Sequence, residues 1–129
     1  MLYLYVMIGG GLGAVSRFAV SGLVARWFGE IFPWGTFTVN VAGSLIIGFV
    51  AAISGTEGFL LLSPLQRQLI MTGFCGGFTT FSSFSLQTLN LMKDGEPLLA
   101  FANILISVIF CMLAVWIGYS LGDYLSVRK

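Results

Sequence analysis

The sequence contains no histidine and very few charged residues. Its 129 residues include six Lys and Arg, five Asp and Glu and two Cys, and only 9% of the chain is charged. Histidine is a common general base and metal ligand, so its absence removes the most common candidate residue for either role. Neither Cys75 nor Cys111 has a visible partner base, and no acidic residue lies near the middle of an apolar segment. An enzyme is therefore not favoured.

The few cysteines and charges exclude two further classes of protein. Both cysteines lie inside apolar segments, where a role as a small hydrophobic residue is favoured over a disulfide or a metal site. The net charge is only +1, which gives no basic surface for nucleic acid.

What the chain has in abundance is apolar residues. It is 57% hydrophobic with a mean hydropathy of +0.98, whereas soluble domains are about 45–50% apolar and about 25% charged. The sequence therefore predicts an all-α integral membrane protein, embedded in a lipid bilayer as a single domain covering residues 1–129. A span needs about 20 mostly apolar residues. Four segments provide this length, namely 2–27, 34–54, 64–92 and 97–124.

The third span contains an unusual stretch, GFCGGFTTFSSFS at residues 73–85. As one helix, residues 64–92 would reach roughly 43 Å at about 1.5 Å per residue, beyond a hydrocarbon core of about 30 Å. Gly76 and Gly77, followed by the β-branched Thr79 and Thr80, are poor helix formers. We predict that the third helix breaks near its middle and frees backbone carbonyls, as in some transporters. A continuous helix crossing is the alternative.

The positive charges at the span ends are almost balanced. With four spans, Arg67, Arg128 and Lys129 fall on one side and Arg26 and Lys93 on the other, three against two. The positive-inside rule needs a bias to set topology. The near tie favours insertion in both orientations and an antiparallel homodimer, although a small bias or a partner could also set one orientation.

The polar groups inside the spans are mainly hydrogen-bond donors. They are Arg17, Asn40, Asn103 and many Ser and Thr residues, with no mid-span carboxylate. A cation route commonly uses acidic groups, so this inventory favours an anion route. The alternative is that Ser and Thr only join helices and satisfy carbonyls.

Helical spacing groups several of these residues on shared faces. Thr36, Asn40 and Ser44 lie at intervals of four, as do Asn103 and Ser107. The Asn40 amide could hold an anion or brace a neighbouring backbone, and the sequence leaves both open.

Two other patterns have a packing interpretation as well as a functional one. Gly9, Gly13 and Arg17 share a face of the first span, which favours close helix approach leading to one basic side chain. Phe81 and Phe84 are three residues apart, and their positive ring edges could face an anion. An aromatic stripe of this kind is also typical of an ordinary core.

Three motifs taken in order resemble the CrcB or Fluc family of small fluoride channels. They are GGGLGAVSRF at 9–18, GTFTVNVAGS at 35–44 and GFCGGFTTFSSF at 73–84. The resemblance spans all four helices. It implies dual-topology homodimers that export fluoride passively through two antiparallel pores at the dimer interface, in a bacterial inner (plasma) membrane.

The resemblance also implies roles for individual residues. Phe81 and Phe84 would be the pore phenylalanines whose ring edges face fluoride, and Asn40 the amide supporting the path of the ion. Ser82 and Ser83 would supply hydroxyls along the polar track.

Other implied roles lie outside the two pore rings. Arg17 would sit near an aqueous vestibule and favour anion entry. Asn103 and Ser107 align with polar-track positions, although the family commonly has Tyr at the first of these. Phe18 and Ser83 also depart from the pattern, where Tyr and Thr are more usual.

A cofactor is implied as well. Gly76 and Thr79 of both subunits would donate backbone carbonyls to one sodium ion on the two-fold axis. Sodium is a hard cation that prefers oxygen ligands, as other hard cations do.

Two rival classes share some of these features. A small multidrug exporter also has four spans and dual topology, but its proton coupling needs a carboxylate in the first span, which contains no Asp or Glu. A non-conducting structural subunit would explain the packing glycines. A structural subunit would not require a helix break, hydroxyl groups and aromatic rings to be clustered together.

Overall fold

The chain folds into helices that form four long spans. The computed structural model describes residues 1–55 and 58–128, and within these residues there is no β-strand. The spans are α1 Leu2–Phe28, α2 Trp34–Ile53, a third span Pro64–Lys93, and a fourth, Pro97–Val127. Each is long and apolar enough to cross a bilayer. The prediction of four spanning helices is confirmed, while Lys129, counted above among the positive charges, lies outside the described residues.

The third span is interrupted, as its sequence predicts. It consists of α3 Pro64–Gln68, a π-helical segment Leu69–Cys75, α4 Gly76–Phe78 and α5 Phe81–Lys93. The fourth span is α6 Pro97–Val127. Between α4 and α5, Thr79 and Thr80 have extended backbones, with φ/ψ of −85/159° and −152/115°. We call these two residues the break.

The start of the third span is set by local hydrogen bonds between side chains and the backbone. The Gln66 N–H donates to Ser63 Oγ at 3.3 Å, and the Ser63 N–H donates to Gln66 Oε1 at 2.8 Å. This reciprocal pair is a capping box, and Pro64 occupies the first helical turn, where its missing N–H costs nothing. The span therefore begins where the sequence predicts.

Glycines allow the helices to approach closely. Cβ atoms added at Gly9 and Gly13 would collide with the carbonyl oxygens of Leu69 and Phe74 respectively. Because both contacts advance in the same direction, α1 runs parallel to the first half of the third span. The predicted packing role of these two glycines is thereby supported.

A second glycine contact joins α2 to α6. Added Cβ atoms at Gly48 and Gly118 would meet the carbonyls of Val115 and Leu45. The result is a bundle with little interior volume, whose large apolar side chains mostly face outward, as expected when lipid is the solvent.

Candidate functional site

One side chain holds the break open. Asn40 on α2 uses both ends of its amide on a single residue: the Thr80 N–H donates to Asn40 Oδ1 at 2.7 Å, and Asn40 Nδ2 donates to the Thr80 carbonyl at 3.1 Å. Of the two roles open from sequence, bracing the backbone is therefore observed. Only one of the two Nδ2 hydrogens is used, so the other remains available.

This brace frees the Gly76 carbonyl. In a continuous α-helix the Thr80 N–H would bond to the carbonyl four residues earlier, that of Gly76. Asn40 Oδ1 takes that donor instead. Gly76 is exposed, and a Cβ added there would meet nothing within 4 Å.

The hydroxyl of Thr80 frees a second carbonyl by capping α5. The Ser83 N–H would bond to the Thr79 carbonyl in a continuous helix, but it donates to Thr80 Oγ1 at 3.2 Å. Thr80 Oγ1 in turn donates to Ser83 Oγ at 3.1 Å and lies 3.4 Å from Ser82 Oγ. The sequence marks this cap only weakly, as a Thr three residues before a Ser.

An open groove of about 420 Å³ runs beside the break. Its walls come from α2, the middle of the third span and α6. The lining residues are Asn40, Gly43, Ser44, Ile47, Met71, Cys75, Gly76, Thr79, Thr80, Phe81, Phe84, Ser107, Val108, Cys111 and Met112. Every lining side chain is formally uncharged, and the polar ones are an amide, hydroxyls and thiols.

The groove brings together six of the predicted site residues. They are Asn40, Gly76, Thr79, Phe81, Phe84 and Ser107. Ser82, Ser83, Asn103 and Arg17 are not among its lining residues. The α2, third-span and α6 positions thus converge, although they are far apart in the chain.

The two phenylalanines differ in environment. Phe81 is 79% exposed and Phe84 is 9% exposed, and their ring centroids lie 5.4 Å apart with the planes tilted by 46°. Phe84 is thus held within the protomer, whereas Phe81 projects from it. Like many large apolar side chains of this chain, the Phe81 ring faces outward, and it does so beside the groove.

Asn103 lies behind the groove and joins α5 to α6. It is 1% exposed, its Nδ2 donates to Thr88 Oγ1 at 2.8 Å, and the Ser107 hydroxyl donates to its Oδ1 at 3.3 Å. Thr88 donates onward to the Phe84 carbonyl at 2.7 Å. Thr88 was missed from sequence because nothing local marks its partner fifteen residues away.

Arg17 is half-buried on α1, one turn beyond Gly13. Within the described part of the chain it makes no ion pair. A second cavity, of about 520 Å³, begins at the next residue, Phe18, and is also lined by Glu30 and Asp94 at the connector end of the bundle. Arg17 itself is not among the residues that line this cavity.

Metal-binding side chains are not clustered in the described residues: no group of three or more His, Cys, Asp or Glu occurs there. Both cysteines are free and line the groove. Any hard cation at this site would depend on backbone oxygens, which the break supplies.

Comparison with known proteins identifies the family. The family of the CrcB-like protein, Camphor Resistance (CrcB), matches residues 4–119. A fluoride-specific ion channel FluC of Opitutus terrae is 57% identical over 118 residues, covering 92% of this chain and 89% of that protein.

Two further relatives carry the same name. The FluC of Methylocella silvestris is 56% identical over 129 residues, covering 100% of this chain and 98% of its own. That of Rhodospirillum rubrum is 49% identical over 119 residues, covering 92% of each chain. With a match this long and relatives this similar, the chain belongs to the CrcB family.

Proposed function

We propose that the protein is a fluoride-selective channel that lets fluoride leave the cell passively across the plasma membrane. The relatives are named as fluoride-specific ion channels, and the chain is a multi-pass membrane protein of that family and not an enzyme. The observation that carries the proposal is the groove, which combines uncharged hydrogen-bond donors with the Phe81 and Phe84 rings and lacks any acidic side chain.

The chemistry of the groove suits a small, strongly hydrated anion. Such an ion gives up its water only if several weak donors replace it, and an amide, hydroxyls and positive ring edges are donors of this kind. A full positive charge in the groove would hold the ion too tightly for rapid release. Arg17, outside the groove, would favour entry of anions at long range.

The proposed assembly is an antiparallel homodimer with two pores. Phe81 projects from the protomer, Gly76 is open, and the positive charges at the span ends are nearly balanced between the two sides. A second, inverted copy would cover the groove and turn each open face into an enclosed path.

Sodium fits the chemistry of the break. The Gly76 and Thr79 carbonyls both lack their α-helical donors, because Asn40 and Thr80 take those N–H groups. Carbonyl oxygens without donors in a membrane need another partner, and a hard cation provides one. Two inverted copies would bring four such oxygens to one point and join the subunits there.

Fluoride efflux from liposomes tests the channel proposal. We expect wild-type protein to release trapped fluoride and not chloride, and Phe81→Ile to slow fluoride release at least about tenfold, because the ring edge is lost while bulk is retained. Phe101→Ile is the matched control, since Phe101 is exposed on α6 and does not line the groove.

Both variants should elute at the wild-type size. Fluoride release by Phe81→Ile at the wild-type rate would contradict the assigned role of the ring. Wild-type liposomes that retain fluoride would contradict the channel itself.

A further inference from the structure

The groove has fewer available hydrogens than its polar lining suggests. A fluoride ion can only accept hydrogen bonds, so a lining group helps only if it has a hydrogen to spare. Each hydroxyl has a single hydrogen. The useful question is therefore which of these hydrogens already serve protein acceptors.

The two threonines of the break have already used theirs. Thr79 Oγ1 donates to the Cys75 carbonyl at 2.8 Å, and Thr80 Oγ1 donates to Ser83 Oγ at 3.1 Å. Both hydroxyls line the groove, but their hydrogens point into the protein. Their part is to shape the break.

The hydroxyl hydrogen of Ser107 is also already used. Ser107 belongs to a series of hydrogen bonds whose donor directions are set by the acceptor at the other end. The Phe84 carbonyl can only accept, so Thr88 must donate to it. Thr88 then accepts from Asn103 Nδ2, which turns Asn103 Oδ1 towards Ser107. Ser107 must donate to that oxygen, so its hydrogen points away from the groove.

Two donors remain on α2. One is the second N–H of Asn40, whose first serves the Thr80 carbonyl. The other is the hydroxyl of Ser44, which lines the groove and makes no hydrogen bond within the described residues.

The free hydroxyl of Ser44 contrasts with others in this chain. A helical Ser or Thr often donates to the carbonyl four residues earlier. The hydroxyls that do so here are those of Ser54, Thr79, Ser85, Thr88 and Ser126. Ser44 does not, although it is within a regular helix. Other helical hydroxyls of the described residues also make no such bond, namely those of Ser16, Ser21, Thr36, Thr38 and Ser120, but among these six only Ser44 lines the groove.

We infer that Ser44 is a further fluoride-binding residue, which together with the free N–H of Asn40 forms a donor pair one helical turn apart on α2. The inference rests on the proposed channel function. Gly43 supports the position of this face, since a Cβ there would collide with the Thr79 side chain. The donor pair thus lies directly against the break.

Fluoride efflux of Ser44→Ala tests the inference. We expect release to fall at least about tenfold, because a hydrogen bond to a charged group is lost. Alanine is smaller than serine, so a blocked groove cannot explain such a loss. Ser44→Thr, which keeps the hydroxyl, should recover most of the rate, and Ser107→Ala should lose less than Ser44→Ala.

Ser54→Ala, at the residue that caps the carboxyl end of α2, is the matched control. Its hydroxyl is buried and bonded to the Val50 carbonyl, so its loss should lower the melting temperature slightly and leave efflux unchanged. Ser44→Ala should show the opposite pattern, with a wild-type melting temperature and an increased fluoride concentration at half-maximal release.

The outcomes separate this inference from the channel proposal. Efflux by Ser44→Ala at the wild-type rate, with Phe81→Ile still slow, would overturn the role of Ser44 and leave the channel standing. Equal losses in Ser44→Ala and Ser107→Ala would contradict the assignment of the free hydrogens. Retention of fluoride by liposomes that contain the wild-type protein would contradict both proposals.

Discussion

At the scale of single residues, one amide decides the local backbone. Asn40 satisfies both polar groups of Thr80 and so competes with the helix for the N–H that would otherwise reach Gly76. Unsatisfied backbone groups are costly in a membrane, which is why a break needs a side chain of this kind. Sequence spacing placed Asn40 near the polar face but left its partner undetermined.

Replacing Asn40 should therefore affect both stability and conduction. We expect Asn40→Ala to lower the free energy of unfolding by on the order of 2–3 kcal/mol, because two buried polar groups lose their partners. If Thr80 then bonds to Gly76, the proposed sodium site is lost as well. The melting temperature in detergent should fall and cease to depend on Na⁺.

Asn90→Ala provides the comparison, because Asn90 is exposed on α5 and its side-chain amide makes no hydrogen bond within the described residues. It should melt at the wild-type temperature. A wild-type melting temperature for Asn40→Ala, or an unchanged response to Na⁺, would show that the break does not depend on this amide.

At the scale of elements, the third span is where prediction from sequence succeeded in part. Its start at Pro64 agrees with the predicted segment 64–92, and its interruption followed from length and from the glycine–threonine pattern. The π-helical turns of Leu69–Cys75 had no local signal. This segment packs against α1, where Gly9 lies against the backbone of Leu69 and Phe74, and such contacts arise only once the helices pack.

Two glycines of α1 offer a matched pair for this contact. Gly9→Ala should destabilise the fold by about 1–3 kcal/mol through overpacking, because the new Cβ would meet backbone atoms that have no room to yield. Gly11→Ala should be neutral or stabilise by up to about 1 kcal/mol, since an added Cβ meets nothing within 4 Å.

Thermal unfolding in detergent measures both variants. A melting temperature for Gly9→Ala equal to that of Gly11→Ala would show that α1 does not need this close approach.

At the scale of the whole molecule, the site is open on one side. Sequence patterns identified six of the fifteen residues that line the groove: Asn40 and Ser107 through helical spacing, and Phe81, Phe84, Gly76 and Thr79 through the family resemblance. They could not separate Asn103, which lies behind it, from Ser107, which lines it. The two residues share one face of α6, so helical spacing alone cannot distinguish them. Phe81 is 79% exposed and Gly76 is open, and this is the side that the proposed second copy would cover.

Charge variants test the proposed dual topology. Neutralising Arg26 and Lys93 removes the positive charges of one pair of connectors, leaves those of Arg67, Arg128 and Lys129 on the other side, and should bias insertion towards one orientation. Such protein alone should conduct at least about tenfold less fluoride than wild type, because inverted partners are missing. Co-expression with a variant neutralised at Arg67 and Arg128 should restore conduction.

Reporter fusions at the carboxyl terminus measure the orientation directly. Wild type should give signal on both sides of the membrane and the charge variants on one. Signal on a single side for the wild type would contradict the antiparallel dimer.

The π-helical segment has a consequence for how this chain can vary. A π-turn holds more residues than an α-turn, and one residue corresponds to roughly 100° of rotation in a helix. Removing one residue from Leu69–Cys75 would therefore turn α3 relative to the glycine surface that follows it. In related proteins, the lipid-facing side chains of this segment should vary. The number of residues between Ser63 and Thr79 should stay the same. Insertions and deletions should instead gather in the connectors between spans.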